Sequence, residues 1–145
     1  MAAGDGHVTN RFKAQLLNGA FDLSAATFKI ALFNVAYAGS QIDGTPVYGS
    51  APWNANEASG SGYTAGGEPI GTAAVSQDDT NDRAKWDDDG TDVLWTSLAT
   101  NTIQTAVLYN TAVANEVCII WEIGTNSNGG NYTLQFHTNG MLLLS

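Results

Sequence analysis

Two neighbouring segments of the chain, residues 103–109 and 117–123, are apolar on both faces, and this pattern constrains the fold most. Alternate positions form one apolar face in each segment: Ile103, Thr105, Val107 and Tyr109, then Val117, Ile119, Trp121 and Ile123. The intervening residues Ala106, Leu108, Cys118 and Ile120 make the other face apolar as well. Alternation with period two is typical of a β-strand, and a strand that is apolar on both faces is buried on both. We therefore predict that these segments are central strands of a sheet.

Six further segments have strand character, and turn-forming Gly, Asn and Asp residues lie between them. The eight predicted strands span residues 27–33, 70–77, 83–87, 93–98, 103–109, 117–123, 132–137 and 141–144. The predicted turns are Asp88-Asp89-Gly90, Asn128-Gly129-Gly130 and Asn139-Gly140. Short strands with such turns indicate an all-β chain, an antiparallel β-sandwich or a jelly-roll-like barrel. With 145 residues and no internal repeat, we predict a single domain over residues 1–145.

Both ends of the chain carry additional signals. Residues 1–8 read as an extended N-terminal arm, and Thr9 or Asn10 can cap a short helix that ends near Gly19. Phe12, Leu16 and Leu17 form the apolar side of that helix, which must dock on the body of the protein or on a neighbour. At the other end, Met141 to Leu144 are apolar on both faces of the last strand. We expect this strand to be buried, with another subunit as one way to cover it.

A long loop separates the first strand from the later ones. Residues 36–67 contain seven Gly and two Pro in 32 residues, with four aromatic side chains spread among them: Tyr37, Tyr48, Trp53 and Tyr63. A loop of this length inside a domain is functional, packed by its own side chains or ordered by a partner. The aromatic residues either pack on the parent domain or contact a neighbouring subunit, where Tyr and Trp are enriched. We take Trp53 as the best candidate contact residue.

Charge and targeting signals limit the partners. The formal charge of −9 repels phosphate, so nucleic acid and anionic membranes are not expected partners. The start of the chain lacks a basic segment followed by an apolar one, and no apolar run is long enough to cross a bilayer. We expect synthesis and retention in a cytoplasm.

Residues 78–92 hold seven of the fourteen acidic side chains, which raises the question of calcium. Aligning Asp87, Asp89 and Gly90 on positions 3, 5 and 6 of an EF-hand loop places Lys85 and Thr96 where the terminal ligands are required. The motif therefore fails at both ends, and we interpret the segment as solvated β-turns, with an irregular calcium site as the alternative. No metal and no other cofactor is predicted.

Sequence signals for catalysis are weak. Nucleophilic catalysis requires a Ser or Cys beside a positioned His, and the chain has only His7, in a polar start, and His137, in a predicted strand. Cys118 is the single cysteine and lies in an apolar run, where a buried thiol is expected. The segment from Gly60 to Ala65 loosely matches a dinucleotide fingerprint, but its glycines are expected to allow a tight backbone path beside Tyr63. We predict a protein that is not an enzyme.

Taken together, segments along nearly the whole chain resemble a group of small virion proteins of tailed bacteriophages. The matching segments are residues 13–19 with 21–23, 27–32, 56–67, 81–86, 93–96, 106–109, 132–136 and 140–145. Asn56 to Gly67, with the sequence NEASGSGYTAGG, is the most specific of them. The resemblance implies a β-structured component of the particle without catalytic residues.

Among the roles that this resemblance allows, we favour a head decoration, or cement, protein on the outer surface of the capsid. Its expected partners are the major capsid protein and further copies of itself, as a homotrimer. The expected interface residues are Trp53, Tyr48, Tyr37, Tyr63, Met141 and Leu143. The main alternative is a receptor-binding or carbohydrate-binding module of a tail or head fibre, and a third is a glycan-cleaving enzyme, which requires paired carboxylates.

Overall fold

Two antiparallel sheets carry the fold in the computed structural model, which describes residues 6–24, 27–88, 90–137 and 139–144. The larger sheet has the order β1-β7-β6-β2-β3, and the smaller has the order β4-β5-β8. The elements are β1 (Gly6–Val8), α1 (Asn10–Leu17), β2 (Phe28–Phe33), β3 (Glu68–Pro69), β4 (Ala74–Asp78), β5 (Arg83–Asp87), β6 (Val93–Asn110), β7 (Glu116–Leu134) and β8 (Leu142–Leu144). The predicted all-β class with one short helix is confirmed. The described strands do not close into a barrel.

One long hairpin replaces four of the predicted strands. The segments 93–98 and 103–109 are parts of β6, and 117–123 is part of β7. The predicted strand 132–137 is part of β7 only as far as Leu134. The predicted turn at Asn128-Gly129-Gly130 is therefore wrong. Leu98 lies opposite Gly130 and Ala99 opposite Asn128, so Gly129, with φ +85°, is the extra residue of a β-bulge. Turn-forming residues bend the ladder here without ending it.

The larger sheet is covered on both faces, as the two-sided apolar pattern predicts. Alternate residues of β2 face opposite sides: Ile30 packs in the main core, and Ala31 packs in a second cluster beneath the long loop. Leu108 and Val107, their partners on β6, divide in the same way. The long loop therefore acts as the outer layer of this sheet.

The helix forms as the capping signals predict. The Thr9 hydroxyl accepts a hydrogen bond from the Phe12 amide at 3.1 Å and donates one to the Val117 carbonyl at 2.8 Å, so one side chain both caps α1 and ties it to β7. Gly19 follows the helix with φ +65°. The placement of Leu17 on the docked side is wrong, since its side chain is 89% exposed.

The N-terminal arm is partly a strand. Gly6–Val8 pairs antiparallel with β7, while residues 1–5 of the predicted arm lie outside the described part of the chain. The predicted strand 70–77 is displaced, because pairing with β5 places it at Ala74–Asp78. The predicted strand 83–87 agrees with β5 in both bounds. No helix in the described ranges is long and apolar enough to cross a bilayer.

Candidate functional site

A carboxylate in the long loop fastens the outer layer to the larger sheet. Glu57 accepts hydrogen bonds from the hydroxyls of Tyr48 and Tyr63, both at 2.8 Å, and from the Gly66 amide at 2.7 Å. The Tyr63 hydroxyl also accepts from the Leu32 amide of β2 at 3.1 Å. Three donors converge on one side chain, and we call this group the Glu57 hub. In the sequence Glu57 is part of the NEASGSGYTAGG motif, and no local pattern there predicts its role.

The tyrosines around the hub are held in their neutral form. Burial, reinforced by the Glu57 carboxylate, raises the pKa of Tyr48 and of Tyr63 well above the ordinary tyrosine value. Burial also raises the pKa of Tyr109 to about 12. The Tyr48 and Tyr109 rings stack with centroids 4.3 Å apart, and the Tyr109 hydroxyl donates to the Gly66 carbonyl at 2.8 Å. Tyr48 is thus held by its ring, which stacks on Tyr109, and by its hydroxyl, which donates to Glu57.

Glycines of the same motif allow close contact between backbones. Gly67 is buried with φ +68°, and a Cβ atom there would collide with the Ile30 carbonyl oxygen. Gly62 has φ +78°, and a Cβ atom would collide with the Thr96 carbonyl oxygen. The expected tight path beside Tyr63 is confirmed, and it lets the loop lie directly on the sheet.

Trp53 is part of the core. Its side chain is only 2% exposed, and its ring meets Phe33 edge-on at 6.5 Å. It belongs to the cluster under the loop, with Val107 and Ile120 of the sheet. The expectation that Trp53 presents an exposed contact surface is therefore corrected. The outer face of the sheet is apolar, and Trp53, the largest side chain in the loop, packs against it.

The N-terminal strand contacts the loop layer by ring stacking and contacts β7 by a side-chain hydrogen bond. The His7 ring lies flat on Tyr37, with centroids 3.7 Å apart and planes within 2°. His7 Nε2 lies 2.7 Å from Glu122 Oε1 on β7. One face of Tyr37 is therefore occupied by another side chain of the same protein.

On the opposite side of the larger sheet, an apolar groove of about 450 Å³ lies between the smaller sheet and the segment around α1. Trp86 of β5 is buried at the groove and packs on Phe28 with centroids 4.9 Å apart, while its Nε1 donates to the Leu23 carbonyl at 2.8 Å. Leu16 and Phe21 also line the groove.

The open part of the groove is formed by the two outer strands of the smaller sheet. Pairing places Val75 opposite Trp86 and Leu144 opposite Ala84, so these side chains share the groove face. Val75 is 57% exposed and Leu144 is 62% exposed. The last strand, predicted to be buried, therefore presents apolar surface in the isolated chain.

The remaining two interface candidates have different environments. Met141 is buried, and its amide donates to the Trp86 carbonyl at 2.8 Å, so its expected contact role is corrected to a core role. Leu143 is 38% exposed and lies opposite Lys85, on the face of the smaller sheet away from the groove.

The acidic segment forms turns and ion pairs. Asp78 accepts hydrogen bonds from the side chains of Asn81 and Arg83, both at 2.8 Å, and these bonds lower the pKa of its carboxyl group. Lys85 Nζ lies 3.4 Å from Asp87 Oδ2 on the same strand. Within the described ranges, which omit Asp89, no three or more His, Cys, Asp or Glu side chains are grouped to hold a metal ion.

Cys118 and His137, two of the residues considered for nucleophilic chemistry, have different environments. Cys118 is fully buried, as predicted, and burial raises the pKa of its thiol far above the usual range. His137 is exposed, and its Nδ1 accepts a hydrogen bond from the Asn139 amide at 3.1 Å. Neither arrangement provides an activated nucleophile.

Comparison of the chain with protein-family models, with curated proteins and with solved structures finds no match.

Proposed function

We propose that this chain is a non-enzymatic structural protein of a tailed-bacteriophage particle that decorates the outer surface of the head. The observation that carries the proposal is the exposed apolar surface formed by Val75 and Leu144 at the open groove. Exposed apolar side chains at an open groove are typical of a site covered by another protein. The resemblance to phage virion proteins supports a neighbour within the particle.

The architecture suits a cement role. We assign the two sheets to a sandwich, in which Trp86 of one sheet packs on Phe28 of the other. The Glu57 hub and buried Trp53 fasten the loop layer without a disulfide, since Cys118 is the sole cysteine. A small rigid body of this kind, present as a trimer, bridges neighbouring copies of the major capsid protein and adds buried interface to each junction. Repeated over the shell, these contacts resist its opening by avidity.

The outer surface of the loop layer is the proposed contact with the capsid. Tyr37 and Tyr48 are half-buried there, with their remaining surface toward solvent. Tyrosines fixed in this way lose little conformational entropy on binding, which favours a protein contact.

The geometry supports this role better than carbohydrate binding. Stacking on pyranose rings requires free aromatic faces, whereas Trp53 is buried and Tyr48 is stacked on Tyr109. His7 occupies one face of Tyr37 in the same way. These contacts favour the loop aromatics as internal supports for a protein-binding surface.

The deciding experiment is a count of this chain in purified particles by quantitative mass spectrometry. A decoration protein is expected at hundreds of copies per particle, and adding purified chain to heads that lack it should raise the temperature at which they release their DNA. A few to a few dozen copies would assign it to the tail or a fibre, and its absence from intact particles would refute a structural role altogether.

A further inference from the structure

We propose that the apolar groove and the acidic surface beside it bind an extended, basic segment of a different protein. The inference rests on the proposed function in one respect, since it takes the protein that carries this segment to be a neighbour in the particle. Three features of the smaller sheet select such a segment: an apolar recess, an excess of carboxylates and an open strand edge.

The apolar recess lies over a small side chain in the middle of the smaller sheet. Pairing places Ala84 of β5 between Gln77 of β4 and Leu144 of β8. Ala84 is the smallest of the three side chains, so it leaves space above the sheet between its two neighbours. The groove of about 450 Å³ has room for one large apolar side chain, which would cover the exposed surfaces of Val75 and Leu144.

The groove continues into an acidic depression, and the two share Val75, Ala84 and Leu144 in their linings. Five carboxylates and two cations lie in or beside these linings: Asp22, Asp78, Asp79, Asp82 and Asp87, with Arg83 and Lys85. Both cations already form ion pairs with carboxylates of the smaller sheet. The surface therefore has a net formal charge of −3, which attracts a ligand with Lys or Arg side chains and repels an acidic one.

A second copy of this chain does not supply the basic segment. The chain has five basic residues, all within the described ranges, and two of them belong to the acidic surface itself. Arg11 and Lys13 are part of α1, and Lys29 is the single basic residue of β2. A copy would also bring a formal charge of −9 toward carboxylates of the same sign. The occupant is therefore a different chain.

An open strand edge favours an extended ligand. Among the described strands β4 pairs with β5 alone, so the outer edge of Ala74–Asp78 presents backbone N–H and C=O groups. A peptide that adds to such an edge places alternate side chains on one face, where pockets select them. Beside β4 that face runs past Val75, Gln77 and Asp79. An apolar residue beside Val75 and a basic residue four positions along, about 13 Å away, therefore match the surface.

The test measures binding of fluorescein-labelled peptides to the purified full-length chain by fluorescence anisotropy. The probe is the nonapeptide TLTVTKTKT, in which Leu, Val and both Lys share one face of an extended strand, together with its reversed sequence TKTKTVTLT. One matched peptide replaces both Lys with Glu, and another replaces Leu and Val with Ser. We expect saturable binding of the basic probe in one of its two directions. The Glu peptide should not bind, and the Ser peptide should bind about tenfold more weakly.

Apolar variants of the chain test the recess. Leu144→Ser and Val75→Ser should each weaken binding of the basic probe about fivefold or more, because each removes apolar surface that the ligand covers. Leu17→Ser is the matched control, since Leu17 is an exposed leucine that does not line the groove, and its affinity should equal that of the wild type. Far-UV circular dichroism should be the same for all three variants.

Charge variants test the carboxylates. Asp79→Asn/Asp82→Asn should weaken binding of the basic probe about fivefold, because two exposed ion pairs with the ligand are lost. Asparagine tolerates the positive φ of Asp82, so the turn is retained. Asp43→Asn/Glu122→Gln is the matched control, since it removes two exposed carboxylates outside both linings and should leave the affinity unchanged.

Three results would overturn the proposal. The first is equal binding of the basic and acidic peptides, or no saturable binding of the basic probe in either direction. The second is an affinity that neither Leu144→Ser nor the double aspartate variant changes. The third is self-association of the wild type that Leu144→Ser abolishes, which would assign the groove to a second copy.

The outcome is separable from that of the proposed function, because peptide binding in solution does not involve the particle. A chain that fails to bind the basic probe but is found at hundreds of copies per particle would overturn this inference and leave the decoration role standing. Selective binding of the basic probe by a chain that is absent from particles would do the reverse.

Discussion

Removing the Glu57 carboxylate should loosen the whole loop layer, and the structure sets the size of the effect. Glu57→Ala deletes one acceptor that serves Tyr48, Tyr63 and the Gly66 amide. A hydrogen bond to a charged group contributes about 1.5–3 kcal/mol, but hydroxyls near the surface recover part of this by binding water. We therefore expect the free energy of unfolding to fall by about 3–4 kcal/mol, a large effect for one substitution.

Two further variants separate the effect of the Glu57 charge from the effect of its position in the hub. Glu57→Gln retains the shape and one acceptor oxygen, and its amide can donate to a tyrosine hydroxyl, so we expect a loss of about 1–2 kcal/mol. Glu68→Ala is the matched control, since this carboxylate is half-buried on β3 and makes no hydrogen bond or ion pair within the described part of the chain. Its expected cost is under about 0.5 kcal/mol.

The assay is urea unfolding, followed by tryptophan fluorescence and by far-UV circular dichroism. Trp53 lies under the loop, whereas Trp86, Trp95 and Trp121 belong to the main core, so fluorescence reports on both the loop layer and the core, while circular dichroism reports on the sheets. A loss below about 1 kcal/mol for Glu57→Ala, or an equal loss for Glu68→Ala, would refute the view that the hub holds the loop in place.

Three other expectations follow from the same core. Trp53→Ala should reduce the free energy of unfolding by about 3–5 kcal/mol in urea unfolding, because it empties a buried site. Gly67→Ala should cost at least about 3 kcal/mol in the same assay, because its Cβ atom meets the Ile30 carbonyl, whereas Gly49→Ala, in open space at φ +88°, should cost about 1–2 kcal/mol. Above pH 10 the unfolded chain ionises its tyrosines while the folded chain keeps Tyr63 and Tyr109 neutral, so stability should fall as the pH rises toward 12, with tyrosinate absorbance appearing together with the loss of circular dichroism.

Each of these expectations has a contrary result. A stable Trp53→Ala variant that lost only its attachment to particles would show that Trp53 is a surface contact residue and not part of the core. Equal costs for the two glycine variants would remove the collision argument. Full tyrosinate absorbance near pH 10 with intact circular dichroism would contradict the burial of the tyrosines.

The sequence by itself determined the features that depend on near neighbours along the chain. Period-two alternation located the central strands, and the Thr9 and Gly19 signals bounded the helix, because capping and side-chain alternation act within a few residues. Cys118 was predicted to be buried for the same reason and is buried.

Only the tertiary structure decided how these elements meet. The glycine-rich segment at Gly129 reads as a turn locally, but pairing with β6 along its length keeps it in the strand as a bulge. Trp53 was expected to be a contact residue but lies in the core, because it covers the apolar outer face of the sheet. No local sequence pattern reveals this packing. The three donors to Glu57 lie six to nine residues away in the same loop, and they meet it only because that loop folds back on itself against the sheet. The exposure of Leu144 follows from an edge position in the smaller sheet. Burial and hydrogen bonding depend on residues distant in sequence, so the fold class could be predicted from the chain and the candidate site could not.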